Sequence, residues 1–173
     1  MEALDELRYP VGRFAPASEG SRADQLETLR RLPANLRQAV AGLNDSQLDT
    51  PYRDGGWTVR QVVHHFADSH ANSYIRVKLA LTEDAPTIVA YDEAAWARLP
   101  DSRMPVEVSL LFVEAVHARL VALYESMDEA AFARTFVHPE RGSVTLANNL
   151  AIYAWHSRHH VAHINRLRER MGW

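Results

Sequence analysis

The chain has 173 residues, a size that fits one domain with a buried core. Apolar residues make up 47% and charged residues 24%, with a net charge of −3; this balance is that of a globular protein and leaves no basic footprint for nucleic acid. With no cysteine, disulfides, thiolate metal sites and a cysteine nucleophile are excluded, so any metal must be held by His, Asp or Glu.

In chain order, the start (Met1 to Glu6) is acidic and lacks the apolar stretch of a secretory signal, and no apolar run approaches the 18 residues of a membrane span. The expected compartment is the cytoplasm. Residues 1–20 read as an extended arm anchored by Tyr9, Val11 and Phe14. Ser21 and Asp24 form a capping box that opens a helix to about Leu43, with a kink or break expected at Pro33. A turn-rich stretch, with a short helix at Ser46 to Leu48, leads to Thr58 and Gln61, a second capping box that opens a helix to about Leu81. Asp92 caps a short helix to Leu99, and Pro105 begins a helix to about Glu125. A short helical segment spans Asp128 to Ala133, and the segment 135–145 has the turn centre and flanking β-formers of a small hairpin. The last helix begins near Thr145 and ends at Gly172. Four long amphipathic helices without a strand-rich region predict an all-α fold, a four-helix bundle with short extra helices, formed by residues 1–173 as one domain. Connections of this length leave room for crossovers.

Histidine is concentrated in two places. Four of the nine lie between Tyr153 and His163, and three lie at 64, 65 and 70. Two pairs in the last helix are spaced i, i+4, a spacing that lets two imidazoles grip one ion. With His156 at zero, His160 lies at about 40°, Leu167 at about 20°, Tyr153 at about 60° and Ile164 at about 80°, which makes His156 and His160 the inward pair. His159, at about 300° beside Arg166, falls on the polar flank, and His163 is intermediate. Two adjacent buried imidazoles are costly unless something pairs with their nitrogens, and a metal does so. On the helix after Thr58, phase leaves both His65 and His70 as candidates for a third ligand. His64 points away, toward solvent. His70, His117 and His138 read as hydrogen-bonded core or boundary residues.

The runs Tyr52-Arg-Asp-Gly-Gly-Trp-Thr-Val-Arg-Gln-Val-Val-His-His-Phe-Ala-Asp-Ser-His70 and Tyr153-Ala-Trp-His-Ser-Arg-His-His-Val-Ala-His-Ile164 closely resemble the YfiT branch of the DinB-like superfamily. So do Leu7-Arg-Tyr-Pro-Val-Gly12 and Leu167-Arg-Glu-Arg-Met-Gly-Trp173. The resemblance implies up-down-down-up connectivity, a cytoplasmic homodimer and the label metal-dependent hydrolase. It also implies one divalent metal per chain held by His65, His156 and His160, because the family's first ligand lies eight residues after the Trp matched by Trp57. Zinc is the expected ion, with nickel second. Three nitrogen ligands leave an open position, as in catalytic sites. That position can activate water against a small-molecule substrate. The alternative is a thiol S-transferase of the bacillithiol type, in which a low-molecular-weight thiol is the co-substrate. Arg76, on the His65 side of its helix, is a candidate anchor for an anionic substrate, with a surface ion pair as the other reading. Asp68 and Asn149 are candidate partners for the ligand imidazoles.

Overall fold

The computed structural model describes residues 2–173, with side chains from residue 5 onward. Four long helices form the body: α2 (Arg22–Val40), α4 (Val59–Thr82), α6 (Glu107–Glu125) and α8 (Leu146–Met171). The short helices are α1 (Glu2–Arg8), α3 (Asp45–Leu48), α5 (Glu93–Trp96) and α7 (Glu129–Ala133). The hairpin consists of β1 (Thr135–His138) and β2 (Gly142–Thr145).

Local chemistry sets the helix boundaries. The Ser21/Asp24 and Thr58/Gln61 capping boxes are both formed, and Thr145 caps α8 through the Asn148 amide. Gly172 ends α8 in the left-handed conformation at φ 70°. The expected extended arm is instead helical over Glu2–Arg8, and Val11 is exposed rather than an anchor. Tyr9 and Phe14 do pack inward, against the rings of His159 and Trp155. Nor does α2 break at Pro33; the helix runs through it from Arg22 to Val40. Pro33 lacks the N–H that would return to Leu29 O, and His117 Nδ1 supplies the missing donor at 2.8 Å. With that carbonyl satisfied, the Leu29, Leu32 and Leu36 side chains bury on both sides of the proline.

Cross-helix bonds fix the connectivity. Arg168 donates to Gln38 O and Ala39 O near the end of α2, while Arg158 pairs with Glu19 just ahead of its start, so α2 and α8 run parallel. Arg37 meets Glu107 and Arg30 meets Glu125, so α2 and α6 are antiparallel. His64 bonds Ser109 and His70 bonds His117, so α4 and α6 are parallel. Tyr153 bonds Ser69 and Asn149 bonds Ser73, so α4 and α8 are antiparallel. The bundle is therefore up-down-down-up. Parallel neighbours such as α4 and α6 need a connection that travels back along the bundle, and residues 83–106 make it. On the way Ile88 and Pro86 bond to the backbone of Val137 and join the hairpin edge.

The core falls into two apolar clusters. One gathers Val62, Val63, Phe66, Val113 and Ile164; the other gathers Val77, Leu120, Tyr124, Leu146 and Leu150. Between them along α4, α6 and α8 lie His70, His117 and His156, a polar layer across the bundle.

Candidate metal centre

The lower half of α4 and the middle of α8 face each other antiparallel, which brings His65 opposite the His156 and His160 turn. One ring nitrogen from each of His65, His156 and His160 lies within 4.8 Å of the others. The Nε2 atoms of His65 and His156 are 3.0 Å apart. A tetrahedral ion with about 2.0–2.1 Å bonds to imidazole spaces its nitrogens by roughly 3.3 Å, and the His65 and His156 nitrogens already stand near that spacing. His65 and His160 are buried, whereas His156 keeps partial access to solvent. Trp57 lies against His65 with ring centroids 4.7 Å apart and against His160 at 6.2 Å, walling one side of the cluster.

Burial makes these imidazoles weak bases. Desolvation holds His65 down to about 4, and it pushes His156 and His160 well below the usual histidine value, with the neighbouring histidines adding to the effect. They are therefore neutral at pH 7, the form that binds metal. No carboxylate belongs to this trio.

Several sequence expectations change. His159 is buried rather than on a solvated flank, because Tyr9 covers it and its ring stacks on Trp155 at 4.3 Å. It forms a second cluster with His160 and His163, whose nitrogens also lie within 4.8 Å of one another. His64 is buried too, bonded to Ser109 Oγ of α6 at 2.7 Å and to Met104 O of the returning crossover at 3.0 Å. Asn149 makes no hydrogen bond to a ring of the trio; it donates to Ser73 Oγ and Tyr124 OH. Asp68 makes no side-chain hydrogen bond to the rings of the trio among the described residues, and burial with the nearby Asp101 charge lifts its carboxyl to about 6. His70 and His117 are hydrogen-bonded core residues, as expected.

Two cavities border the trio. One of about 390 Å³ is lined by Arg76, Tyr91, Glu93, Arg141, Tyr153 and His156, among others. The other, of about 350 Å³, is lined by Tyr9, Tyr52, Trp57 and the histidines of α8, with Glu93 and Arg141 again present. Arg76 makes no ion pair among the described residues; its Nη2 donates to Val89 O at 3.4 Å. Glu93 and Arg141 were not anticipated. Both are exposed and sit on the crossover and the hairpin turn, where no periodic pattern marks a residue that borders a cavity. A larger cavity of about 910 Å³ lies over Arg60, Asp45 and Asp49, away from the histidines. Three of its charged side chains are already paired, with Arg60 bonded to Asp45 at 2.8 Å and to Asp49 at 2.7 Å.

The model of the DinB superfamily matches residues 28–164. A Bacillus cereus protein with the name "Putative metal-dependent hydrolase" is 51% identical over 173 residues, covering 98% of this chain and all of the relative. A Bacillus thuringiensis protein described in the same words matches at 51% identity with the same coverage. Among solved structures, YfiT from Bacillus subtilis, described as "a probable metal-dependent hydrolase with an unusual four-helix bundle topology", superposes with a TM-score of 0.92 at 50% identity, covering 97% of this chain and 99% of that one. TT2238, a four-helix bundle protein, is similar at a TM-score of 0.57 and 20% identity over 82% of this chain, a likeness of fold alone.

Proposed function

The chain belongs to the DinB superfamily, and we propose that it is a metal-dependent hydrolase whose ion is held by His65, His156 and His160. The observation that carries this reading is the meeting of three neutral, largely buried imidazoles at the border of two cavities. When bound, a divalent ion with three nitrogen ligands supplies an open position at which water is activated near neutral pH. Zinc is the ion we assign, with nickel second, since imidazole suits both.

The chain's own residues supply the rest. Trp57 and the packed rings of α8 exclude bulk water from one side. Arg76 is placed to hold an anionic group of a small-molecule substrate in the 390 Å³ cavity beside His156. Glu93 borders both cavities; its side chain is exposed, yet partial desolvation against the cavity walls raises its carboxyl above the ordinary range, which suits a group that takes up and returns a proton. The cytoplasmic homodimer implied by the sequence resemblance is part of the same reading. Val108, Leu111 and Phe112 support it as an exposed apolar strip on α6 that a second copy would cover.

The test is a panel of small esters, amides and phosphoesters offered to metal-defined protein, with and without a low-molecular-weight thiol. Turnover without thiol, lost in His156→Ala and showing a raised KM in Arg76→Ala, is the expected result. Turnover of an electrophile only when thiol is present would replace hydrolysis by thiol transfer at the same site.

A further inference from the structure

Two chains of buried histidines lead away from the trio, and each ends on a backbone carbonyl. In the first, His156 Nδ1 lies 3.1 Å from His70 Nε2, His70 Nδ1 lies 2.8 Å from His117 Nε2, and His117 Nδ1 lies 2.8 Å from Leu29 O. In the second, His160 Nδ1 lies 3.2 Å from His163 Nδ1, and His163 Nε2 lies 3.2 Å from Arg8 O. His70, His117 and His163 are all at most 2% exposed.

A carbonyl only accepts hydrogen bonds, so the direction of each chain is set at its far end. His117 Nδ1 must carry the hydrogen toward Leu29 O. In a neutral ring the other nitrogen is then bare. His117 Nε2 accordingly accepts from His70 Nδ1, and His70 Nε2 accepts from His156 Nδ1. His156 is left with a lone pair on Nε2, the atom that faces His65. The second chain resolves in the same way: His163 donates from Nε2 to Arg8 O, accepts on Nδ1 from His160, and leaves His160 Nε2 bare. Pro33 is part of the device. It is the residue that leaves Leu29 O without its helical donor.

We infer that His70 with His117, and separately His163, are positioning residues that hold His156 and His160 in the tautomer presenting Nε2 to the metal. The inference rests on the metal reading of the trio. A partner that takes the second N–H of a ligand imidazole fixes its tautomer and orientation, and losing such a partner typically weakens metal binding about 10- to 100-fold. Carboxylates, carbonyls or waters usually fill that role. Here intermediate imidazoles carry the polarity of a distant carbonyl to each ligand. The atoms of the His159, His160 and His163 cluster also suggest a seat for a second cation. Two divalent ions sharing His160 with no carboxylate between them would repel strongly, which favours the hydrogen-bonded assignment.

The test begins with the metal-free wild-type protein. Two-bond proton–nitrogen correlation spectra should show Nδ1–H tautomers at His117, His70, His156 and His160, and the Nε2–H tautomer at His163. Competition against a chromophoric chelator should then show zinc bound about 10- to 100-fold more weakly by His117→Leu. His117→Gln, whose amide can donate to Leu29 O and accept from His70, should recover most of the loss. An Nε2–H tautomer at His156 in the wild type overturns the proposal. So does unchanged zinc affinity in a folded His117→Leu protein, or a second equivalent of zinc that His163→Ala removes. Should His117→Leu not fold, the wild-type spectra decide alone. The stated tautomers in a protein that binds no stoichiometric metal would overturn the metal reading, and this one with it.

Discussion

Metal and stability should be linked through the trio in a way that can be calculated. His65 is 91 positions from His156, so the three proposed ligands converge only in the folded chain. An ion that binds the folded state alone stabilises it by RT ln(1 + [L]/Kd), about 2.7 kcal/mol at a free concentration 100 times Kd. For 173 residues, 1 kcal/mol moves the melting temperature by about 2–4 °C, so chelated protein given zinc at that excess should melt about 5–11 °C higher. The His156/His160 pair keeps some affinity in the unfolded chain, which pulls the value toward the lower end. Differential scanning calorimetry of wild type, His156→Ala and His159→Ala measures it. The shift should vanish in His156→Ala and persist in His159→Ala, whose ring stacks on Trp155 outside the trio. An equal shift in His156→Ala, or none in wild type with zinc, nickel, manganese or iron, would refute the ligand assignment.

Acid should destabilise the metal-free protein earlier than carboxylate titration alone. His65 and His117 are held down to about 4 chiefly by burial, so from pH 6.5 toward 4 the unfolded chain takes up protons that these rings refuse in the folded state. Stability is therefore present above pH 6.5 and should fall by about 1.4 kcal/mol per pH unit for each such ring below it; a flat urea midpoint between pH 7 and 5 would contradict the burial argument. Arg60→Met should cost about 1–3 kcal/mol in urea unfolding, because the buried guanidinium ties Asp45, Asp49 and Met104 O to α4 while its acidic partners are exposed and screened.

What the sequence disclosed depended on whether the cause was local. Ser21, Thr58 and Thr145 announce their helices because a cap bonds within three residues of itself. His156 and His160 could be read as inward because they share a stripe with Leu167 and Ile164. His159 and His64 were misread because the segments that cover them lie far off in sequence: Tyr9 over the first, Met104 and Ser109 over the second. The phase of one helix reports its own apolar stripe, not a second layer laid across its flank. Pro33 failed as a break for a related reason, since the donor that rescues Leu29 O comes from α6, 88 positions away. Glu93 and Arg141 lie in connections, where position follows from how the chain returns rather than from any repeat.

The parallel placement of α4 and α6 has a consequence for the order of assembly. A hairpin of antiparallel helices can zip from its turn, but α4 and α6 cannot meet until residues 83–106 have travelled back along the bundle. The same is true of α8, whose partners α2 and α4 are both distant in sequence. Long-range closure of this kind makes folding slower than in a simple up-down bundle. It also means that no early fragment holds His65 near His156. The ion would enter a scaffold already built, so a cell could stock the protein empty and decide later which metal fills it.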